Sequence, residues 1–367
     1  MKLPQYPLGL NRRLEERWGF ILAKLKDIAE RVGVSISTVS RVMKNDVNRS
    51  VSEETRKKIW DTAEELGYRS QRPVKKKKME PKTSYAIGCV VAIPQNKYNS
   101  PYFSVIMEGI EKQLAESGMR LEFVYSIEND GDTVQLQSLV KEHRIDGMIV
   151  VERIDPEAYR WLKANVRSVV GVDITDPDIP VVGYDREAAA REATNHLIAQ
   201  GHHLIAYVGG AEYKNDFRAE KRFLGYQRAM NEAGLPIDDD WVIDVKWDVS
   251  LSYELTRKAF ANNESRPTAI FAASDMMAIA AMRAATEQGL RVPEDIAFFG
   301  VDNIEISEFT SPPLSTIHVP KLEMGMFAVK QLLDYLDHQH EVAVKVIIPY
   351  RCIFRQSSNS KRESDLV

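Results

Sequence analysis

Short apolar runs rich in β-branched and aromatic residues dominate the chain from Tyr85 onward: YAIGCVVAI, RLEFVYS, DGMIVV, SVVGVD, LIAYVGG, TAIFAAS and IAFFG. Between them lie stretches of helical periodicity, among them PYFSVIMEGIEKQLAESG, REAAAREATNHLIAQG, RFLGYQRAMNEAG and DMMAIAAMRAATEQG. Strand, helix, glycine, strand predicts parallel sheets with helices on both faces. Two such units of about 130 residues each fill this region. Upstream the pattern changes. In LKDIAERVGVSISTVSRVM, the apolar residues Leu25, Ile28, Ala29 and Val32 share one helical face, Gly33 breaks it, and Val34, Val39 and Val42 resume an inward face. Two short helices joined by a glycine turn make a helix-turn-helix, with Ser35 as the cap of the second helix. A third helix begins at Ser52, with Glu53 and Glu54 at its positive end, a stripe of Ile59, Ala63 and Leu66, and Gly67 to stop it. The expected fold is therefore an all-α helix-turn-helix headpiece at residues 24–68 and an α/β body of two parallel-sheet lobes at 85–357.

Residues 69–84, RSQRPVKKKKMEPKTS, hold two prolines and a lysine run without an apolar stripe, and read as a linker. Residues 1–23 read as an N-terminal extension and 358–367 as a tail. The extension lacks periodicity, and a native start near Leu22 is expected, with Glu16 to Gly19 as a translated ribosome-binding site. The intact mass of the native protein would end that expectation if it showed Met1.

Charge sharpens the division. The 367-residue chain carries a net charge of −4, yet residues 1–23 are +2, residues 24–78 are +7 and the remainder is −13. Removing the four lysines at 75–78 leaves the head at +3. A basic head on an acidic body is expected where only the head meets a polyanion. A hydrophobic content of 44% and a charged content of 28% suit a globular chain with a sizeable core. Two cysteines, Cys89 and Cys352, exclude a disulfide framework and a paired-cysteine metal knuckle. No apolar run approaches the ~18 to 20 residues of a membrane span, and WGFILA makes a poor signal peptide, so a cytoplasmic location without membrane contact is expected.

The candidate chemistry is that of binding. Ile36, Ser37, Thr38, Ser40 and Arg41 form a helix surface without acids, offering hydroxyls for phosphates, an apolar tip for a thymine methyl and a guanidinium fork for guanine. In the body, ligands of open α/β sheets sit beyond the carboxyl ends of strands, where Asp173, Gly209, Gly210, Asp275 and Asp302 fall. An arginine with aromatics such as Tyr102 and Trp247 beside such residues suits a sugar, whose hydroxyls need polar partners and whose C–H face needs a ring. Against an enzyme stands the absence of GxGxxG after the first strand, and of a phosphate loop, HExxH or GxSxG. His202 and His203 lack further ligands at metal spacing and read as surface or capping residues. No cofactor and no metal are expected.

LKDIAERVGVSISTVSRVM followed by VSEETRKKIWDTAEELGY resembles the headpiece of the lactose-repressor family of bacterial transcription regulators. The resemblance implies that Ile36 and Ser37 read the operator, that Arg41 adds a base contact, and that Ser35, Thr38, Ser52 and Thr55 hold phosphates. Leu25 and Tyr68 would sit against the DNA backbone or the headpiece core. Relatives use the linker as a hinge helix that wedges a leucine into the minor groove; this chain departs from that pattern, with Pro73 and Pro81 and only Met79 as a wedge. The body is similar to the family's effector domain, itself like periplasmic sugar-binding proteins, through HLIAQGHHLIAYVGG, RFLGY, PTAIFAASDMMAIAAMRAATEQGLRVPEDIAFFGVDN and SPPLSTI. By position, Arg222 corresponds to the effector clamp, Asp275 and Asp173 to cleft carboxylates, Trp247 to the stacking aromatic and Tyr102 to a further contact. Lys321 stands where relatives carry an aromatic. The closest look is to the galactose and evolved-β-galactosidase repressor subgroup. The function implied is a dimeric repressor on palindromic double-stranded operator DNA, released by a galactose-type sugar or β-galactoside. Left open beside it are another sugar, a corepressor such as a purine or a protein, and a transported-sugar receptor, against which the headpiece and the lack of a secretion signal argue.

Overall fold

The structure is a computed structural model that describes residues 25–43, 51–66, 84–91, 100–127, 132–152, 154–210, 217–262, 266–338, 340 and 342–359. Tyr68, Gly67, the extension, residues 69–83 of the linker and residues 360–367 of the tail lie outside them. The chain divides into two compact units, residues 1–83 and 84–367.

In the first unit, α1 (Leu25–Val32), α2 (Ile36–Met43) and α3 (Glu53–Glu65) enclose Ile28, Ala29, Val39, Val42, Met43, Ile59 and Ala63, with Leu25, Val34 and Leu66 half-buried around them. The α1–α2 turn depends on Gly33: its φ of +75° lets the N–H groups of both Gly33 and Val34 reach the Ala29 carbonyl at 3.0 Å. Both expected caps form. Ser35 Oγ accepts from Thr38 N at 3.1 Å, and Ser52 Oγ accepts from Thr55 N at 3.3 Å.

The second unit contains β1 (Ile87–Val91), α4 (Pro101–Glu116), β2 (Leu121–Ser126), α5 (Asp132–Glu142), β3 (Gly147–Val151), α6 (Pro156–Asn165), β4 (Ser168–Val172) and β5 (Val181–Gly183). It continues with α7 (Arg186–Ala199), β6 (Ile205–Gly209), α8 (Lys221–Glu232), β7 (Val242–Asp244), α9 (Val249–Asn262), β8 (Ala269–Ala272), α10 (Asp275–Glu287), β9 (Ala297–Asp302), β10 (Ser315–His318), α11 (Lys321–Asp337), β11 (Lys345–Ile347) and β12 (Arg351–Ile353). One six-stranded sheet runs β11-β5-β4-β3-β1-β2 and the other β12-β10-β9-β8-β6-β7. Every pairing is parallel except β10 with β12.

These lobes are interleaved rather than consecutive. The chain passes from β5 to α7, which packs on the second lobe, returns from β10 to α11, which packs on the first, and crosses a third time between β11 and β12. Helix α11 lies directly against α4 because Gly109 faces the Leu322 carbonyl and Gly325 faces the Ile106 carbonyl, with no room for a Cβ at either position. His202 departs from the expected surface role: it is buried, with Nδ1 2.9 Å from Thr268 Oγ1, and burial lowers its pKa, whereas His203 is exposed.

Candidate functional site

The headpiece presents the outer face of α2. Ile36, whose side chain has no apolar partner to bury it, is 49% exposed, and Ser37 is exposed beside it. Thr38 and Arg41 are half-exposed on the same helix, and Arg41 makes no ion pair with any described residue. Ser35 Oγ lies 2.8 Å from both Ser37 Oγ and Thr38 Oγ1, and Ser52 Oγ donates to Thr55 Oγ1 at 2.8 Å, so hydroxyls cluster at two helix amino-termini whose free N–H groups favour anions. Leu25 packs half-buried against the headpiece core.

In the body, the carboxyl ends of both sheets bring charged groups together. On the first lobe, Arg186 clamps Asp173: Nε to Oδ1 at 3.1 Å, Nη2 to Oδ2 at 2.6 Å, with Nη2 also 3.0 Å from Glu152 Oε1. Tyr102 OH donates to the same Asp173 carboxylate. On the second lobe, Glu220 caps α8 by accepting from the N–H groups of Arg222 at 2.8 Å and Phe223 at 3.2 Å, and its Oε1 pairs with Arg222 Nη1 at 2.7 Å. The Arg222 guanidinium lies over the Trp247 ring, 5.0 Å from its centroid. Gly210 permits this placement, since a Cβ there would meet Trp247 N at 2.5 Å. Arg222 also feels the charge of Asp173 from the opposite lobe. Tyr102, Asp173, Arg222 and Trp247 are thus gathered at the junction of the lobes.

Asp275 differs. It is fully buried, and its carboxylate accepts from Ile304 N at 2.9 Å, Ser307 Oγ at 2.6 Å and Thr316 Oγ1 at 2.5 Å. Three donors from the protein itself, two on the turn after β9 and one on β10, hold this carboxylate, so it ties that turn to the sheet. The strand-end acid exposed to the charges of Arg222, Lys321 and Asp173 is Asp302. Lys321, buried where the chain enters α11, donates to the Asp302 carbonyl and to Val319 O, and burial lowers its pKa against the opposing pull of Asp302 and Asp275.

Backbone strain marks the same place. Seven described non-glycine residues have positive φ, and six of them, Glu152, Asp173, Lys246, Trp247, Asp302 and Asn303, stand at the carboxyl ends of β3, β4, β7 and β9. Such conformations cost about 1–3 kcal/mol each and persist where surrounding structure holds them for a purpose. Two buried polar atoms here lack protein partners, Arg222 Nε and Tyr184 OH, which points to a polar ligand as the missing partner. Glu152, Tyr184, Arg186 and Glu220 were not singled out in the sequence. Of these only Glu220, an acidic residue two positions before an arginine at a helix start, left a recognisable signal.

Burial, and next the Asp275 carboxylate, raise the pKa of Asp302, with Lys321 and Arg222 opposing. Asp302 therefore holds its proton more tightly in the folded body than in the unfolded chain. The free energy of unfolding falls as pH rises from the ordinary carboxylate value of about 4 through the raised folded value. Asp302→Asn removes this dependence. Melting temperatures measured between pH 5 and pH 9, conditions of about that range spanning the window, are expected to show the variant gaining on the native chain as pH rises. A constant difference would refute the assignment.

Comparison with known proteins agrees with both halves. Residues 24–71 match the bacterial regulatory proteins of the lacI family, and residues 194–358 match the periplasmic binding protein-like domain. The HTH-type transcriptional repressor PurR of Aliivibrio salmonicida (strain LFI1238) is 34% identical over 324 residues, covering 87% of this chain and 94% of the relative. The HTH-type transcriptional repressor MelR of Bacillus subtilis (strain 168) is 33% identical over 348 residues, covering 92% and 97%. Among solved structures, the lac repressor dimer bound to operator and the anti-inducer ONPF aligns with a TM-score of 0.66 at 27% identity, covering 92% of this chain and 99% of that one. The transcriptional regulator CelR–cellobiose complex aligns with a TM-score of 0.67 at 25% identity, covering 91% and 99%. These relatives are regulators and not enzymes, and among the described residues no helix is long and apolar enough to cross a membrane. A helix-turn-helix with an exposed, acid-free second helix, joined in one chain to a two-lobed body of this kind and matched to such relatives over nearly its whole length, belongs to the lacI family of bacterial regulatory proteins.

Proposed function

We propose that this regulator represses transcription as a homodimer on a two-fold symmetric operator and is released by a neutral, hydroxyl-rich sugar of the galactose or β-galactoside type bound between the lobes. One headpiece reads a half-site, so a palindrome calls for a pair, and a repressor works where the DNA is, in the cytoplasm. Leu25, Ser35, Ile36, Ser37, Thr38, Arg41, Ser52, Thr55 and Tyr68 are the proposed DNA-facing set. Arg222, Trp247, Asp173, Tyr102 and Asp302 are the proposed effector set, with Asp275 in support behind Asp302.

The observation that carries the sugar reading is the pairing of Arg222 Nε and Tyr184 OH, both buried and unpartnered, with the Trp247 ring. Donors beside a ring suit hydroxyls and a C–H face. Charge narrows the class: Arg186, Arg222 and Lys321 stand among five acids, Glu152, Asp173, Glu220, Asp275 and Asp302, and although burial makes Glu152, Asp275 and Asp302 hold their protons more tightly, no cation is left in clear excess. A phosphorylated or acidic sugar would find no surplus positive charge to meet it. Mono- and disaccharides titrated into a preformed operator complex test this. Release by an uncharged galactoside supports the proposal, and release only by a sugar phosphate would overturn the charge argument. The second reading, a purine corepressor, is favoured by the PurR relatives and requires operator binding to tighten when a purine base is added.

A further inference from the structure

Two histidines and an aspartate unused by the cleft meet at the carboxyl end of α11. Asp334 and His338 are four residues apart, one helical turn, and so share a face. His338 is the C-cap, and its extended backbone (φ −128°, ψ 153°) turns the chain so that His340 returns beside them. His338 Nδ1 lies 3.1 Å from Asp334 Oδ1, and His340 Nε2 lies 2.9 Å from Asp334 Oδ2. One ligand atom from each of the three residues falls within 4.8 Å of the others.

The returning segment is fastened independently of these contacts. The His340 ring stacks on Tyr335 with centroids 4.4 Å apart. Tyr335 OH donates to Val342 O at 2.7 Å and accepts from Val344 N at 2.9 Å. The His340 imidazole is therefore held near the carboxylate by a group that is not a ligand, and part of the ordering cost of assembling a site is already met.

We propose that Asp334, His338 and His340 bind a divalent transition-metal ion of the zinc, cobalt and nickel class. Two imidazoles with one carboxylate match the preferences of these ions, whereas magnesium and calcium call for oxygen ligands. All three side chains are exposed, so water completes the coordination. The ion replaces the two imidazole–carboxylate contacts and joins the end of α11 to the segment that leads through Val344 into β11 and the third crossing between lobes. The adjacent His202 and His203 draw attention in the sequence; the D-x3-H-x-H spacing here passes unnoticed until the helix end is seen.

The test is calorimetric titration of ZnCl2, NiCl2 and MgCl2 into chelator-treated full-length protein, native and His338→Ala/His340→Ala, at neutral pH. The native chain should bind one zinc or nickel ion that the double variant lacks or binds on the order of 100-fold more weakly, with magnesium inert. Thermal melts of the metal-free proteins should differ by a few degrees at most, since the substituted side chains are exposed and Tyr335 keeps its bonds to Val342 and Val344. Equal zinc binding by both proteins, or no binding by the native chain, overturns the proposal.

Discussion

Arg222→Ala is expected to abolish the response to effector while leaving an operator-binding headpiece. The substitution removes the guanidinium that lies over Trp247 and carries a buried, unpartnered Nε. It also strands Glu220, whose side chain is 1% exposed and whose only ion-pair partner among the described residues is Arg222. Breaking a buried pair from one side costs about 3–5 kcal/mol, so the single variant alone confuses lost binding with lost folding. The double variant Glu220→Gln/Arg222→Met separates them. Glutamine keeps an oxygen that accepts from the Arg222 and Phe223 backbone positions and so retains the cap, methionine fills the volume, and no charge is stranded. Its melting temperature should approach that of the native body, while no sugar releases the operator complex. Full release by sugar from the stable double variant would remove Arg222 from the effector set.

The reciprocal result is expected from Arg41→Ala, alone and with Ile36→Ala. Loss of a good contact to a base edge costs about 1–3 kcal/mol of discrimination, a factor of about 5 to 150 in the preference for operator over random duplex. Residual binding should persist through the remaining cations, with a salt dependence shallower by about one unit if Arg41 also meets a phosphate. Both side chains are on the surface of a unit separate from the body, so sugar affinity and body melting should not change. Competition binding against random DNA at several salt concentrations checks this. An unaltered preference would show that α2 does not face the bases.

The headpiece was readable because its determinants are local: a glycine at a left-handed turn, hydroxyl caps and three apolar stripes each act within a few residues. The long central strands were readable for the same reason, as continuous apolar runs. The three-residue strands β5, β7, β11 and β12 were not, because so short a run shows no period. The cleft was legible only in part. Asp275 and Asp302 look alike in sequence, each an acid after an apolar run, and only tertiary structure shows one held by three protein donors and the other under the charges of Lys321 and Arg222. Arg186 gains its role from partners that follow two other strands, a relation that no spacing encodes. The interleaving of the lobes is equally invisible locally, since it depends on which sheet each late element joins.

That interleaving has a consequence for biosynthesis. The first lobe begins near residue 84, yet it lacks α11, the helix that packs on α4 and β4, and β11, its outermost strand, until residues 321–347 have been made. The second lobe, lying between these segments, has all but its last edge strand when α11 starts to emerge. During translation, therefore, the half synthesised first still lacks a helix and a strand when the second lacks one strand, and the Gly109 surface of α4 stays open on the nascent chain while its neighbour already folds. Ribosome-bound truncations ending before residue 321 should resist protease in the middle of the body and yield at its start.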